Sequence, residues 1–502
     1  MPDMLVHDLL IIGGGINGVG IARDAAGRGL KVLLVEQDDL ASHTSSASTK
    51  LIHGGLRYLE YYEFRLVRES LMERERLMAI APHIIHPLEF VLPHRGGGRP
   101  AWMVRLGLFL YDHLGGREKL PGSAGVRLKG SLRGAGLQGD VAKGFTYSDC
   151  RVDDARLTVL NAMDAAERGT DIRTRTRLTA ARRDGDVWIA SLEDRVTGAQ
   201  SEARARHIVN VAGPWVGKLI GAIEGARAEQ PPRLVKGSHI VVPRMFAGEH
   251  AFILQNPDKR IVFAIPYERD FTLVGTTDIA VDGDPESATI TEDEIAYLCE
   301  SVNRWFERPI TPADVVWHYW GVRPLYDDGS DSASAVTRDY VMKLGTEEGP
   351  QILSIFGGKL TTYRKLAEHA LEKIAPFVTM TRGPWTDSTA LPGGDMPGAD
   401  FAAFLASVRQ RWPFLPQATA ERMARSYGTR MERVIGDAVS FADLGEDYGG
   451  GLTEREIAYL VWHEFARTAD DILWRRSKLG LHVPPDTADR LTARLARETA
   501  NV

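Results

Sequence analysis

What this chain has little of narrows its class. Its 502 residues include only two cysteines, Cys150 and Cys299. Two isolated cysteines give neither a metal-ligand spacing nor a disulfide framework, so a reducing compartment and no metal site are expected. No apolar run reaches about 18 residues, which excludes a spanning helix. The N-terminus lacks the basic segment, apolar core and small-residue cleavage site of an export signal. Excess positive charge is missing as well, since 61 Lys and Arg stand against 67 Asp and Glu for a net charge of −6. A general nucleic-acid binder needs the opposite balance to neutralise phosphates, so no nucleic-acid partner is expected. Glycine, by contrast, is plentiful at 50 residues, above the usual share of roughly 7%, as suits a loop-rich cofactor enzyme. The length implies about two or three domains.

The stretch from His7 to Asp38 organises the rest. Leu9 to Ile12 reads as a buried parallel strand, and Gly13, Gly15 and Gly18 then spell G-x-G-x-x-G, with Ile16 and Asn17 inside the motif. The first glycine makes a tight turn, the second lets backbone approach a pyrophosphate, and the third lets the helix pack closely on the sheet. The phosphates would rest on the helix N-terminus. After the helix comes a second strand, Val32 to Val35, and then Glu36, placed to accept hydrogen bonds from ribose hydroxyls. The unit reads as a βαβ dinucleotide site, and by itself leaves FAD and NAD both open.

Further along, Thr44, Ser45, Ser46 and Ser48 form a hydroxyl-rich loop suited to hydrogen-bond a pyrophosphate or flavin. Residues 62 to 80 read as a helix, with Phe64, Val67, Leu71 and Leu77 interleaved with charges. Pro100 to Asp112 is apolar nearly all round, which reads first as a buried helix and second as an interfacial one with Trp102 and Tyr111 at its ends. Residues 171 to 202 form a β-meander leading to a strand that ends at Ala212 and Gly213, small residues where the chain would pass a cofactor. Short strands and turns over 237 to 281 predict an antiparallel substrate domain. At Ile352 to Lys365 a buried strand meets glycines and enters an amphipathic helix, placing Gly358, Lys359, Leu360 and Thr361 at a second helix N-terminus. Its positive end would favour the charge of a reduced flavin. A linker near 391 to 398 precedes helical sequence, with Thr453 to Glu456 reading as a capping box.

The expected fold is α/β: a Rossmann-type cofactor domain in three parts (1–90, 149–233 and 346–390), a substrate or cap region whose first part is 91–148 and whose antiparallel-sheet domain is 234–345, and a C-terminal all-α domain (399–502).

Several blocks carry a resemblance: Gly13 to Gly18, Ser45 to Glu60, Lys236 to Pro243, Gly275 to Asp278, Gly321 to Leu325 and Phe356 to Ala370. Over essentially its whole length the chain resembles the aerobic glycerol-3-phosphate dehydrogenases, FAD-dependent relatives of the D-amino-acid oxidase superfamily. The resemblance implies non-covalent FAD, oxidation of sn-glycerol 3-phosphate to dihydroxyacetone phosphate, and electron delivery to membrane quinone. It implies a cytoplasmic protein attached peripherally to the inner face of the cell membrane, and leaves a homodimer open. The large insertion of the oxygen-using glycerophosphate oxidases is not evident, so the dehydrogenase is preferred over that oxidase and over an amine- or amino-acid-oxidising flavoenzyme.

Within that reading a phosphate dianion needs fixed cations. Arg57, Arg323 and Arg338 stand in Gly- or Asp-flanked motifs, with Tyr58 beside the first, and arginine's planar fork suits phosphate. A base must take the hydroxyl proton, and histidine's ordinary pKa suits that role. His239, leading into the strand Ile240-Val-Val, is preferred and His53 is the runner-up. Arg323 is the electrostatic partner of the C2 oxygen, and Lys359 would stabilise the reduced flavin. Two segments are candidates for lipid contact, each with a core or solvated surface as its alternative: Trp102 to Tyr111, and the basic helix holding Lys359, Arg364, Lys365 and Lys373.

Overall fold

The computed structural model describes residues 5–95, 99–226, 232–326, 339–345 and 349–499. Two sheets organise them. In the first, Ile352–Phe356, Gln200–Asn210, Val6–Ile12, Val32–Val35 and Asp171–Arg173 run parallel in that spatial order. Val341–Leu344 closes one edge antiparallel, and Thr176–Asp184 and Val187–Asp194 fold back on Gln200–Asn210 as the expected meander. Strand periodicity divides Val6–Ile12 between two layers. Leu9 and Ile11 pack with the helices Ile16–Gly27, Asp154–Glu167 and Tyr363–Ile374, while Leu10 and Ile12 meet Leu178, Trp188 and Leu192 of the meander. Both faces are covered, which is why the sequence of this strand is apolar without alternation.

The second sheet has ten strands and is largely antiparallel. Its Arg233–Pro243 strand pairs with Phe271–Gly275, Ile279–Val281 and Trp317–Leu325. Ile85–His94 and Lys143–Val152 belong to this sheet too and pair along their whole length. The limits expected at residues 90 and 148 cut through these continuous hydrogen-bonded ladders, and the region between them is joined to the substrate sheet through both strands. The short strand Leu51–Ile52 also joins it, so the hydroxyl-rich loop crosses from one sheet to the other.

The C-terminal segment is helical, including Phe401–Arg411, Gln417–Tyr427, Glu454–Glu464 and Thr487–Thr499. Its core is continuous with the cofactor layer. Buried ion pairs fasten it there, Arg156 to Glu464 and Arg476 to Asp39. The capping box expected at Thr453 does not form. Glu456, which would complete it, is instead held by Arg422 at 2.6 Å and by the Tyr427 hydroxyl.

Two expectations about helices are reversed. Ala101–Leu114 is not a buried helix: only Leu108 and Tyr111 of it are buried, while Trp102 is 65% exposed and Leu106 and Phe109 are each 50% exposed. The adjoining turn and helix expose Tyr61, Tyr62 and Phe64 beside it. The expected basic helix, Tyr363–Ile374, is a core helix. Arg364 is 2% exposed and gives 2.7 and 2.5 Å hydrogen bonds to Glu73, and Lys365 pairs with Glu368 at 3.0 Å. Among the described residues no helix is long and apolar enough to cross a membrane.

Candidate active site

A cavity of about 580 Å³ opens between the two sheets. One wall is made of backbone. Gly13 turns the first strand into helix Ile16–Gly27 with φ at +118°, and a Cβ there would stand 2.7 Å from the Val211 carbonyl oxygen. A Cβ on Gly18 would lie 1.9 Å from the Gly13 carbonyl oxygen, so only glycine lets the helix sit this close. The helix has no side-chain cap from its own N-cap, Gly15; the Ser45 hydroxyl accepts from the Ile16 N–H at 2.9 Å instead. Glu36 accepts from the N–H groups of Gly14 at 2.6 Å and Asp38 at 2.8 Å. Burial raises its pKa, and those two bonds oppose the rise. The second loop enters here. Gly357 and Gly358 have φ of +77° and +102° and lead through Lys359 to the turn Leu360–Thr362. Asn17 donates to the Gly357 carbonyl at 3.2 Å, and a Cβ on Gly358 would meet Asn17 at 2.5 Å. Two helix entries thus meet at one asparagine. These features fit a dinucleotide: a floor with no room for side chains, N–H groups and partial positive charge for a pyrophosphate, and a carboxylate at the ribose position.

The facing wall is made of side chains. His239 lies in its ladder between Gly275 and Tyr319. Its ring stacks on Tyr319 at 4.8 Å and 16°, and on the other side a Cβ at Gly275 would stand 2.1 Å from Cδ2. The side chain is only 2% exposed, and its Nε2 is 3.0 Å from the Thr49 hydroxyl. Burial, then the positive charges of Lys50 and Arg323, pull its pKa down to about 3. It is therefore a neutral imidazole at ordinary pH. Arg323 passes over Gly237, where a Cβ would be 2.9 Å from Nη2, and pairs with Asp278 at 3.1 Å. Lys359 lies over the Tyr58 ring at 3.9 Å. The His53 N–H donates to Thr361 at 3.2 Å. Burial lowers the pKa of His53; Asp149 opposes this, and Lys359 and Arg74 add to it.

The cavity brings together most of the expected residues: Gly13, Gly15, Ile16, Asn17, Glu36, Thr44, Ser45, Ser48, Ala212, Gly213, Gly358, Lys359, Leu360 and Thr361 on the cofactor side, with His53, Tyr58, His239 and Arg323 opposite. Some fall elsewhere. Gly18 lies under Gly13, Ser46 lines a smaller cavity behind the loop, and Arg57 is half-buried on the turn Leu56–Tyr61 away from the cavity lining. Arg338 lies outside the described residues. Two hydroxyls expected to face a cofactor are engaged by protein: Ser48 donates to Asp154 and Thr44 to the Val322 carbonyl, each at 2.7 Å. The reading missed Thr49 and Asp278, although both stand inside the quoted blocks; pairings 190 and 45 residues apart leave no trace in local spacing.

Comparison with known proteins agrees with this geometry. Residues 8–364 match the model for FAD dependent oxidoreductases, and residues 384–500 match that for the C-terminal domain of alpha-glycerophosphate oxidase. The chain is 55% identical over 498 residues to a glycerol-3-phosphate dehydrogenase of Pseudomonas aeruginosa, covering 99% of this chain and 96% of that one. It is 51% identical over 499 residues to the aerobic glycerol-3-phosphate dehydrogenase of Escherichia coli, covering 99% and 98%. It is also 52% identical over 483 residues to a D-erythritol 1-phosphate dehydrogenase of Brucella abortus, covering 96% of each. Among solved structures, the glycerol-3-phosphate dehydrogenase from Bacillus halodurans complexed with FAD superposes with a TM-score of 0.76 at 28% identity, covering 94% of this chain and 86% of that one. The chain belongs to the FAD-dependent oxidoreductases that carry the glycerophosphate-oxidase C-terminal domain, and FAD is its cofactor.

Proposed function

We propose that this flavoenzyme oxidises sn-glycerol 3-phosphate to dihydroxyacetone phosphate and passes the electrons to membrane quinone. The observation that carries the reading is a buried neutral imidazole, His239, which shares one cavity with Arg323 and faces Lys359 and the dinucleotide cradle. Bound FAD supplies the two-electron acceptor. His239 takes the proton of the C2 hydroxyl: the ring is neutral and able to accept it, and an anionic substrate bound beside it offsets the positive charges of Lys50 and Arg323 that hold its pKa low. Arg323, oriented by Asp278, steadies the developing charge on the C2 oxygen and attracts the anionic substrate. Lys359 adds fixed positive charge at the entry of the second helix, where an electron-rich reduced ring is favoured.

A second substrate is favoured by one specific finding, the relative that acts on D-erythritol 1-phosphate. Anaerobic mixing separates the readings: sn-glycerol 3-phosphate should bleach the flavin, D-erythritol 1-phosphate should do so more slowly, and amino acids should leave it oxidised. Faster bleaching by erythritol phosphate transfers the assignment to the longer polyol, and bleaching by an amino acid removes it from both.

Quinone is confined to the bilayer, and the exposed apolar side of Ala101–Leu114, with Arg105 on the same helix and Arg68 on its neighbour, supports lipid contact there. The protein should float with anionic vesicles, and Leu106→Glu with Phe109→Glu should leave it in the soluble fraction. Unchanged flotation of that double variant would remove this helix from the lipid interface.

A further inference from the structure

His239 is fenced on both faces, so its nitrogens are its polar outlets. Nδ1 is buried with no hydrogen-bond partner among the described residues, and Nε2 meets Thr49 Oγ1 at 3.0 Å. Thr49 itself lines the cavity. Its neighbours on both sides are fastened to one buried carboxylate, Asp154. Ser48 gives that carboxylate its N–H at 3.2 Å and its hydroxyl at 2.7 Å, and Lys50 bonds it at 2.9 Å while also reaching the Ser46 carbonyl at 2.9 Å. Lys478 of the C-terminal segment stands 3.6 Å from the same group. The ring stacked on His239 takes part too, because the Tyr319 hydroxyl donates to the Ser48 carbonyl at 2.8 Å. The backbone holding Thr49 is thus pinned from three directions, and among the described residues the hydrogen-bond partner of its hydroxyl is His239.

We propose that Thr49 is the proton relay between the substrate hydroxyl and His239. The proposal rests on His239 being the base. A hydroxyl can accept one hydrogen bond while donating another. The substrate O–H bond breaks and its proton passes to Thr49 Oγ1, as the original Thr49 proton moves to His239 Nε2. Thr49 ends with one hydroxyl proton, as it began, and His239 ends protonated. The C2–H bond gives its hydrogen and electron pair to the flavin, and the C2 oxygen becomes a carbonyl. Such a relay gives a histidine that lines the cavity but is only 2% exposed a hydroxyl path to a substrate held in it.

The test is anaerobic flavin reduction by sn-glycerol 3-phosphate in FAD-loaded wild type, Thr49→Val, Thr49→Ser, His239→Gln and the double variant Thr49→Val/His239→Gln, with flavin content per chain measured first. Thr49→Val keeps the shape and removes the proton path, so the rate should fall at least about 100-fold, the lower reach of a lost proton-transfer group. Thr49→Ser should stay near wild type, and Thr49→Val should add little to His239→Gln. The acid limb of the rate should move to higher pH in Thr49→Val, because a hydroxyl that donates to Nε2 favours the neutral ring. If the valine variant sheds flavin, Thr49→Ala serves the same comparison. A wild-type rate in Thr49→Val beside a slow His239→Gln overturns the relay and leaves His239 acting directly. A wild-type rate in His239→Gln overturns both readings. A slow Thr49→Val that serine does not rescue, or whose loss is fully additive with that of His239→Gln, overturns the relay in favour of a loop-holding role.

Discussion

The two walls of the cavity are built from different materials. The cofactor wall is backbone: Gly13, Gly15, Gly18, Gly357 and Gly358 clear space and turn N–H groups inward, and almost nothing on it needs to titrate. The opposite wall is side chain: His239 and Arg323 reach in from strands on which Gly275 and Gly237 make room for them, and Asp278 joins Arg323 from the segment between two strands. One wall grips and the other reacts. Binding by backbone tolerates little change in shape, whereas chemistry by side chains is lost when a functional group is removed even if the shape is kept.

Mutations can test this division. The largest effect is expected on the backbone wall. Gly18→Val would press its Cβ into a carbonyl oxygen 1.9 Å away, so the purified variant should carry no flavin. A variant with full flavin absorbance would break the distinction.

The second effect is in pH dependence, where the walls differ in sign. His239 has a folded pKa near 3 against 6.5 in the open chain. As pH falls below 6.5 the unfolded chain accepts a proton that the folded one refuses, so stability is lost by about 1.4 kcal/mol per pH unit until the folded value is reached. Glu36 has a folded value raised above 4.5 by burial. The folded protein binds that proton more readily, so Glu36 weakens the fold as pH rises from 4.5 through its folded value, and acid relieves it. Thermal melting of wild type should therefore fall more steeply between pH 6.5 and 4.5 than that of His239→Gln. Parallel slopes would show that His239 is not held neutral by the fold.

The smallest effect is expected at Gly237→Ala, whose Cβ would stand 2.6 Å from Thr276 Oγ1 and 2.9 Å from Arg323 Nη2. Those groups can shift, so flavin should stay bound while kcat/KM falls on the order of tenfold. Loss of flavin with kcat/KM preserved in the loaded fraction would reverse the assignment of this wall.

The same division governs what was legible in the sequence. Gly13, Gly15, Gly18 and Glu36 lie within one βαβ unit, so local spacing carries their geometry, and the strand, glycines and helix around Lys359 repeat that logic. The reacting wall is assembled across distant strands. His239 was legible as a histidine entering an apolar strand, but its contact with Thr49 arises only when the loop crosses between sheets. Helix positions failed for a related reason: periodicity tells which residues share a face, not what covers it. Ala101–Leu114 spends its apolar surface on solvent, and Arg364 reads as a surface charge until Glu73, 291 residues away, folds against it. Thr453 and Glu456 spell a cap, but Glu456 is fully buried, and Arg422 competes for it and wins because an unpaired buried charge is costly.

On this division of labour the side-chain wall performs the proton chemistry while the backbone wall holds FAD. The most direct measurement is anaerobic rapid mixing of sn-glycerol 3-phosphate with FAD-loaded wild type and His239→Ala. Wild-type flavin should bleach, and His239→Ala should keep its flavin but bleach at least about 100-fold more slowly, the usual scale for a lost general base. A fully loaded His239→Ala that bleaches at the wild-type rate would contradict the account and move the base to His53.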